Sequence, residues 1–140
     1  MVEYKEIAAY VIILIIVLIA AQHLNVVVSG SMEPTFYRGD IVAVQKADFL
    51  GIHEFDPNDV QVGDIVVYDA RWFDQPVIHR VINITKINGT TMYVIKGDNN
   101  ARADPYYVTA DQIHERVLTW GDTPIVIPYI GHISLFLRGL

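Results

Sequence analysis

The chain has 140 residues, of which 52% are hydrophobic and 19% are charged, with a net charge of −6. This length suits one domain of ordinary size, and this hydrophobicity excludes an intrinsically disordered chain. The acidic balance argues against nucleic-acid binding, which needs a basic surface that neutralises phosphates. The absence of Cys excludes disulfides, thiolate metal sites and a cysteine nucleophile.

The first predicted element is an apolar helix near the N-terminus. Residues 7–21 (IAAYVIILIIVLIAA) carry no charge, and a helix extended to Leu24 would span about 27 Å, against roughly 30 Å of hydrocarbon in a bilayer. A cleaved signal peptide is the alternative, but the apolar core is long for such a peptide and no small-x-small site ends it. We therefore predict a single membrane anchor over residues 1–24. The few flanking charges lean towards a cytosolic N-terminus.

The remainder, residues 25–140, is predicted to be rich in β-structure. The hairpin signal Asn88-Gly89 is strong, because both positions of such a turn need a positive φ. Runs of β-branched residues bounded by turn residues predict strands at five places: Asp40–Lys46, Asp64–Asp69, Val77–Ile87, Thr90–Lys96 and Tyr106–Thr109. The apolar tail 125–140 is broken by Pro and Gly, so it predicts strand and loop, not a second membrane helix.

The densest group of unusual residues follows the anchor, at Val28–Thr35 (VSGSMEPT). On an extended chain, Ser29 and Ser31 would project to the same side, roughly 7 Å apart. One hydroxyl can then attack a carbonyl carbon while the other donates to the resulting oxyanion. Taken alone, Ser-Gly-Ser is more typical of a flexible loop.

A nucleophilic serine needs a base, and His79 is the strongest candidate among the five histidines. It lies within an apolar strand, where it alternates with Val77 and Val81 on one face. A neutral buried imidazole suits a general base, although a lone strand histidine is more often a satisfied core residue. Asp98 and Asp104 could each orient the imidazole, or serve as a turn residue and a solvated loop acid.

Three motifs in series resemble the type I signal peptidases, in their archaeal and endoplasmic-reticulum branch, where His replaces the bacterial Lys base. They are Ser-Gly-Ser-Met-Glu-Pro-Thr with Arg-Gly-Asp at 29–40, His-Arg-Val-Ile at 79–82, and Lys-Gly-Asp-Asn-Asn with a later Asp at 96–104. The resemblance covers the anchor and nearly everything through about residue 110. It implies a mainly β fold, in which a small antiparallel catalytic domain follows one transmembrane helix.

The resemblance also implies roles for individual residues. Ser31 corresponds to the nucleophile, His79 to the general base and Ser29 to an oxyanion donor. Asp104 is the expected third member of the triad, with Asp98 also in the site. Because Pro105 holds Asp104 in an extended backbone, we expect Asp104 to orient His79 and Asp98 to support the loop geometry. No metal or cofactor is implied.

The function implied is that of a membrane-bound serine endopeptidase that cleaves signal peptides from exported pre-proteins after small residues. Its expected partners are signal peptides, the lipid bilayer and accessory membrane subunits, and not nucleic acid. The expected location is the archaeal cell membrane or the endoplasmic reticulum, with the catalytic domain on the exterior or lumenal side.

Two other functions compete with this one. The first is a non-catalytic, membrane-anchored β module that binds extended peptides. The joint presence of Ser31, His79, Asp98 and Asp104 argues against it. The second is a self-cleaving regulator with the related Ser–Lys fold, which predicts a DNA-binding helical module that the sequence lacks.

Overall fold

A computed structural model describes residues 1–128 of the chain, and within this range a single helix is followed by nine strands. Two short 3₁₀ turns lie at Pro57–Asp59 and Ala110–Gln112. The helix and strands, in chain order, are α1 Tyr4–Gln22, β1 Leu24–Val26, β2 Ile41–Lys46, β3 Ile65–Tyr68, β4 Val77–Ile87, β5 Thr90–Lys96, β6 Ile113–Val117, β7 Thr119–Trp120, β8 Thr123–Pro124 and β9 Val126–Ile127.

Helix α1 coincides with the predicted anchor. Its most apolar window has a mean hydropathy of 2.2, and none of its residues is buried against the rest of the protein. By length and composition it can therefore cross a bilayer. The strand β1 begins at Leu24, so the predicted domain boundary at residue 24 falls on the first residue of the sheet.

Seven strands form one sheet in the order β1-β2-β6-β3-β4-β5, with β9 also paired to β2, and every pairing is antiparallel. Strands β7 and β8 form a separate pair. This architecture confirms the prediction of a mainly antiparallel β fold after one N-terminal helix. The hairpin between β4 and β5 is also confirmed, with φ angles of 51° at Asn88 and 80° at Gly89.

Some local predictions differ from the structure. Tyr106–Thr109 is not a strand, and only Val108 forms an isolated bridge, with Tyr93. Strand β6 was not predicted, because its sequence IHERV is polar at its centre. In the apolar tail, β9 pairs with β2, whereas residues 129–140 lie outside the described range of the chain.

Buried side chains form two hydrophobic clusters, one beside Ser31 and one beside His79. Met32 and Phe36, just after Ser31, belong to the cluster around β2. Val77 and Val81, on either side of His79, belong to the cluster around β3, β4 and β5. Ile78 of β4 also packs against the cluster around β2. Apolar burial therefore anchors both the segment that carries the serines and the strand that carries His79.

Candidate active site

Ser31 lies in a turn between β1 and β2, residues 31–35, which we call the serine turn. Two buried residues that follow Ser31 hold this turn in place. Met32 and Phe36 are each 1% exposed, and the backbone N–H of Phe36 donates to the carbonyl of Met32. These contacts leave the half-buried Ser31 hydroxyl facing His79, with 3.0 Å between Ser31 Oγ and His79 Nε2.

His79 occupies the buried face of β4, which it shares with Val77 and Val81 as predicted. Its Nδ1 lies 2.8 and 3.0 Å from the two carboxylate oxygens of Asp104. A carboxylate only accepts hydrogen bonds, so Nδ1 carries the ring proton and Nε2 of the neutral ring is an acceptor. This tautomer directs an unprotonated nitrogen at the Ser31 hydroxyl, as a general base requires.

Asp104 lies in the segment between β5 and β6, where its backbone N–H donates to the carbonyl of Ile95. Its side chain is only 3% exposed. Besides His79, it contacts the phenol of Tyr68, which donates to Asp104 Oδ2 at 2.5 Å. Burial raises the pKa of Tyr68, and the hydrogen bond to Asp104 raises it further, so this phenol stays protonated.

Asp98 lies on the other side of the site and contacts Arg80 and Thr35, not His79. Arg80 Nε and Nη2 donate to its two oxygens at 2.9 and 2.8 Å, and Thr35 Oγ1 donates at 2.5 Å. Burial acts to raise the pKa of Asp98, but these hydrogen bonds and the charges of Arg80 and Lys96 outweigh it and lower the pKa. An ionised Asp98 thus connects the serine turn to strand β4.

The hydroxyl of Ser29 lies 3.1 Å from that of Ser31. The backbone bends at Ser29 and Gly30, so the expected extended conformation of this segment was wrong. The Ser31 N–H points towards Ser29 Oγ at 3.5 Å. A side-chain O–H and a backbone N–H are thus adjacent at the Ser31 hydroxyl, the pairing that an oxyanion hole uses.

Gly97 lies close to Ser31 and His79. The sequence did not indicate this proximity. A Cβ at this position would come within 2.8 Å of the Ser31 carbonyl oxygen and 2.9 Å of His79 Nε2. The next residue but one, Asn99, donates its backbone N–H to the same carbonyl at 2.8 Å. The absence of a side chain at Gly97 therefore allows the loop after β5 to pack directly on Ser31 and His79.

A cleft of about 750 Å³ opens beside the serines and His79. Within residues 1–128, β1 pairs with a strand only on its β2 side, and Val77 and Ile78 of β4 pair only with β3, so each presents a free edge. The walls are mainly apolar and include Leu24, Val26, Val28, Trp72, Phe73 and Pro76. An extended peptide could pair with the backbone at either edge.

The structure thus brings together Ser31, His79 and Asp104, with Ser29 beside Ser31. Asp98 contacts Arg80, the neighbour of His79 in the chain, and not His79 itself. Tyr68 contacts Asp104, and sequence reasoning did not single it out. Its proximity to Asp104 depends on strand pairing, and no local motif marks it. Among the described residues, no group of three or more His, Asp or Glu is placed to hold a metal ion.

A family model for signal peptidases, described as peptidase S26, matches residues 2–103. The chain belongs to this family. The resemblance read from the three motifs is thereby confirmed. Signal peptidase relatives include the signal peptidase complex catalytic subunit SEC11 of Pyricularia oryzae, 34% identical over 80% of this chain, and SEC11C of Canis lupus familiaris, 36% identical over 81%.

These matches cover 62% and 56% of the two signal peptidase subunits, so the chain spans less than two thirds of their length. An uncharacterized protein of Methanocaldococcus jannaschii is 34% identical over 89% of this chain and 88% of its own length. Archaeal and eukaryotic relatives therefore both match this chain, in agreement with the predicted branch of the family.

Proposed function

We propose that this chain is a membrane-bound serine endopeptidase that removes signal peptides from exported pre-proteins after small residues. The observation that carries the proposal is the continuous contact from Ser31 Oγ through His79 to the buried Asp104 carboxylate, beside an open cleft. Membership of the signal peptidase family supports signal peptides as the substrate class. The names of the SEC11 relatives support a role within a larger complex.

The substrate binds as an extended strand between the free edges of β1 and β4. Backbone hydrogen bonds give affinity whatever the sequence of the peptide, and the apolar wall receives alternate side chains. Both edges lead to Ser31, since β1 continues into the serine turn and β4 carries His79. The scissile carbonyl therefore reaches the nucleophile in the orientation that strand pairing imposes.

In the first step, Ser31 Oγ attacks the scissile carbonyl carbon while His79 Nε2 takes the hydroxyl proton. The negative charge that develops on the carbonyl oxygen is stabilised by the Ser29 hydroxyl and the Ser31 N–H. Asp104 stabilises the imidazolium by accepting from Nδ1. His79 then protonates the leaving amine, and a water molecule hydrolyses the acyl-enzyme by the same route.

The length and composition of α1 support a location of this chemistry at the membrane. We propose a short cytosolic N-terminus, with the β domain on the exterior or lumenal side, where exported pre-proteins emerge. Signal peptides and the anchor then share one bilayer, and accessory membrane subunits would pack against α1.

The test is cleavage of one pre-protein by the full-length protein in detergent. Ser31→Ala should abolish cleavage, because it removes the nucleophile, and it should leave the melting temperature unchanged, because it deletes one half-buried hydroxyl. Ser29→Ala should reduce kcat by about 10²–10³-fold, as expected for one oxyanion donor. If Ser31→Ala cleaves like the wild type, the serine mechanism is wrong. If neither protein cleaves but both bind signal peptides, the chain is the non-catalytic peptide-binding module.

A further inference from the structure

The carboxylate of Asp104 is buried, yet the segment that carries it is not a strand of the sheet. It lies between β5 and β6, and its side chain is 3% exposed. A buried carboxylate needs donors on its oxygens, and its direction matters when one donor is a catalytic imidazole. The structure supplies two donors, His79 Nδ1 on both oxygens and the phenol of Tyr68 on Oδ2 at 2.5 Å.

Tyr68, in contrast, belongs to a strand of the sheet and to its buried core. It is 1% exposed and packs in the hydrophobic cluster with Val66, Val77 and Val81. Its strand β3 lies between β4 and β6, and the β4 pairing aligns Tyr68 with Val77, two residues before His79. The phenol and the imidazole thus come from neighbouring strands in fixed register.

The pairing next to Tyr68 is irregular on the β6 side. Val67 is aligned with Glu115 and Tyr68 with Ile113, so β6 carries one extra residue, His114. Such irregularities are common beside active sites. Strand β3 itself pairs with β4 without a shift at Tyr68, so the regular β3–β4 pairing sets the position of the phenol.

We propose that Tyr68 is a positioning residue of the catalytic site, which fixes the Asp104 carboxylate in the direction that His79 requires. This inference rests on the proposed function. The residues that line the cleft include Ser31 and His79 but neither Tyr68 nor Asp104. Tyr68 therefore acts through Asp104 and not by touching the substrate. Without its hydroxyl, one carboxylate oxygen loses a donor and the side chain can rotate away from Nδ1.

Tyr68→Phe tests the proposal, and the chain offers a matched control. Tyr93 belongs to the same cluster, is 0% exposed, and donates its hydroxyl to the carbonyl of Pro57 at 2.7 Å. Both substitutions delete one buried phenol oxygen. We expect Tyr68→Phe to reduce kcat on a pre-protein by about 10- to 100-fold with an unchanged KM, because the catalytic geometry loosens while the cleft is intact. Tyr93→Phe should stay within about twofold of the wild type.

A double substitution tests whether Tyr68 acts through Asp104. In an Asp104→Asn background the carboxylate is already lost, so adding Tyr68→Phe should change kcat by less than about twofold. If Tyr68→Phe reduces kcat in the Asp104→Asn background as much as it does in the wild type, the proposed action through Asp104 is wrong. Equal losses of kcat in Tyr68→Phe and Tyr93→Phe would overturn it as well, since they would show a general effect of weakened packing.

A spectroscopic measurement separates this inference from the proposed function. In protein labelled with ¹⁵N-histidine, the Nδ1 proton of His79 is identified by its loss in His79→Asn. Its chemical shift should change in Tyr68→Phe and not in Tyr93→Phe, whether or not the protein cleaves pre-proteins. An unchanged shift would overturn the inference about Tyr68. Absence of Ser31-dependent cleavage in the wild type, with the shift changed, would overturn only the endopeptidase proposal.

Discussion

At the scale of single residues, the site is a chain of hydrogen bonds in which each member fixes the next. The Asp104 carboxylate determines that Nδ1 of His79 carries the ring proton. The unprotonated Nε2 therefore faces the Ser31 hydroxyl. The catalytic roles of these three residues and of Ser29 stay predictions. The geometry associates Asp104 with His79, and Asp98 with Arg80.

The first prediction concerns Asp104→Asn. An amide can donate to His79 Nδ1, which favours the tautomer whose proton sits on Nε2 and points at Ser31. Such a ring cannot accept the hydroxyl proton, so kcat should fall by about 10³-fold or more. Pre-protein cleavage with a parallel thermal melt is the measurement. Full activity in a folded Asp104→Asn protein would remove Asp104 from the mechanism.

The second prediction concerns Gly97→Ala. The added Cβ would meet backbone and ring atoms under 3 Å away, so Ser31 or His79 must move. A shift of about 1 Å can cost 10²-fold in rate, and we expect a loss of kcat of about that size. Gly51→Ala is the control, because its φ of 87° makes Ala strained while nothing lies within 4 Å of the new Cβ. The control should lower the melting temperature and leave kcat unchanged. Unaltered kcat in Gly97→Ala would contradict the close packing.

At the scale of elements, the turn that carries Ser31 and strand β4 have to be held in register. Met32 and Phe36 anchor the turn in one cluster, and Val77 and Val81 anchor β4 in the other. Asp98 connects the two segments, because it accepts from Thr35 at the end of the turn and from Arg80, the residue after His79. We expect this connection to depend on the charge of Asp98.

The third prediction follows from the lowered pKa of Asp98. At pH values between the folded and unfolded pKa of Asp98, the unfolded chain binds more protons than the folded one. The contribution of Asp98 to stability is therefore complete above its unfolded pKa, and it is lost as pH falls through its folded pKa. The difference in melting temperature between wild type and Asp98→Asn should therefore be large at neutral pH and shrink below about pH 4. Asp98→Asn should also reduce activity, because the turn is no longer held.

Asp122→Asn serves as the control for Asp98→Asn. Asp122 lies exposed in the turn between β7 and β8, so its substitution removes a carboxylate without breaking a connection in the site. Its melting temperature should follow that of the wild type at each pH. A difference between Asp98→Asn and the wild type that stays constant from about pH 3 to pH 7 would show that the charge of Asp98 contributes nothing to stability.

At the scale of the whole molecule, α1 joins the β domain through His23. The backbone carbonyl of Ile19 raises the pKa of His23, and Glu54 raises it further through a contact of 2.7 Å from Nε2 to Oε2. The ring of His23 also packs on Phe49. The C-terminal end of α1 is thus attached to the loop after β2, and not only to β1, the strand that follows α1.

The fourth prediction concerns deletion of residues 1–22, which removes α1 and keeps His23 and β1. A soluble peptide substrate should be cleaved with unchanged kcat, because the site residues all remain. Membrane-inserted pre-protein should show a higher KM, because enzyme and substrate no longer share a bilayer. Equal KM values for the full-length and shortened proteins on that pre-protein would mean that α1 only targets the protein to the membrane.

The sequence by itself determined the features that depend on local chemistry. The apolar run predicts α1 through its composition, Asn88-Gly89 predicts the hairpin through its need for positive φ, and the alternation around His79 predicts a buried face. The motifs predict the family because the types and order of their residues are themselves the signal.

Tertiary structure alone decided the features that depend on pairing between distant segments. Strand β6 is polar at its centre, and it is accommodated between β2 and β3 because Glu115 meets Lys46 and Arg116 meets Gln45 and Asp64. The contact of Tyr68 with Asp104 and the close approach of Gly97 to His79 arise in the same way. Register and loop packing place these atoms, and neither is encoded in any short stretch of chain, because each results from the burial of the whole sheet.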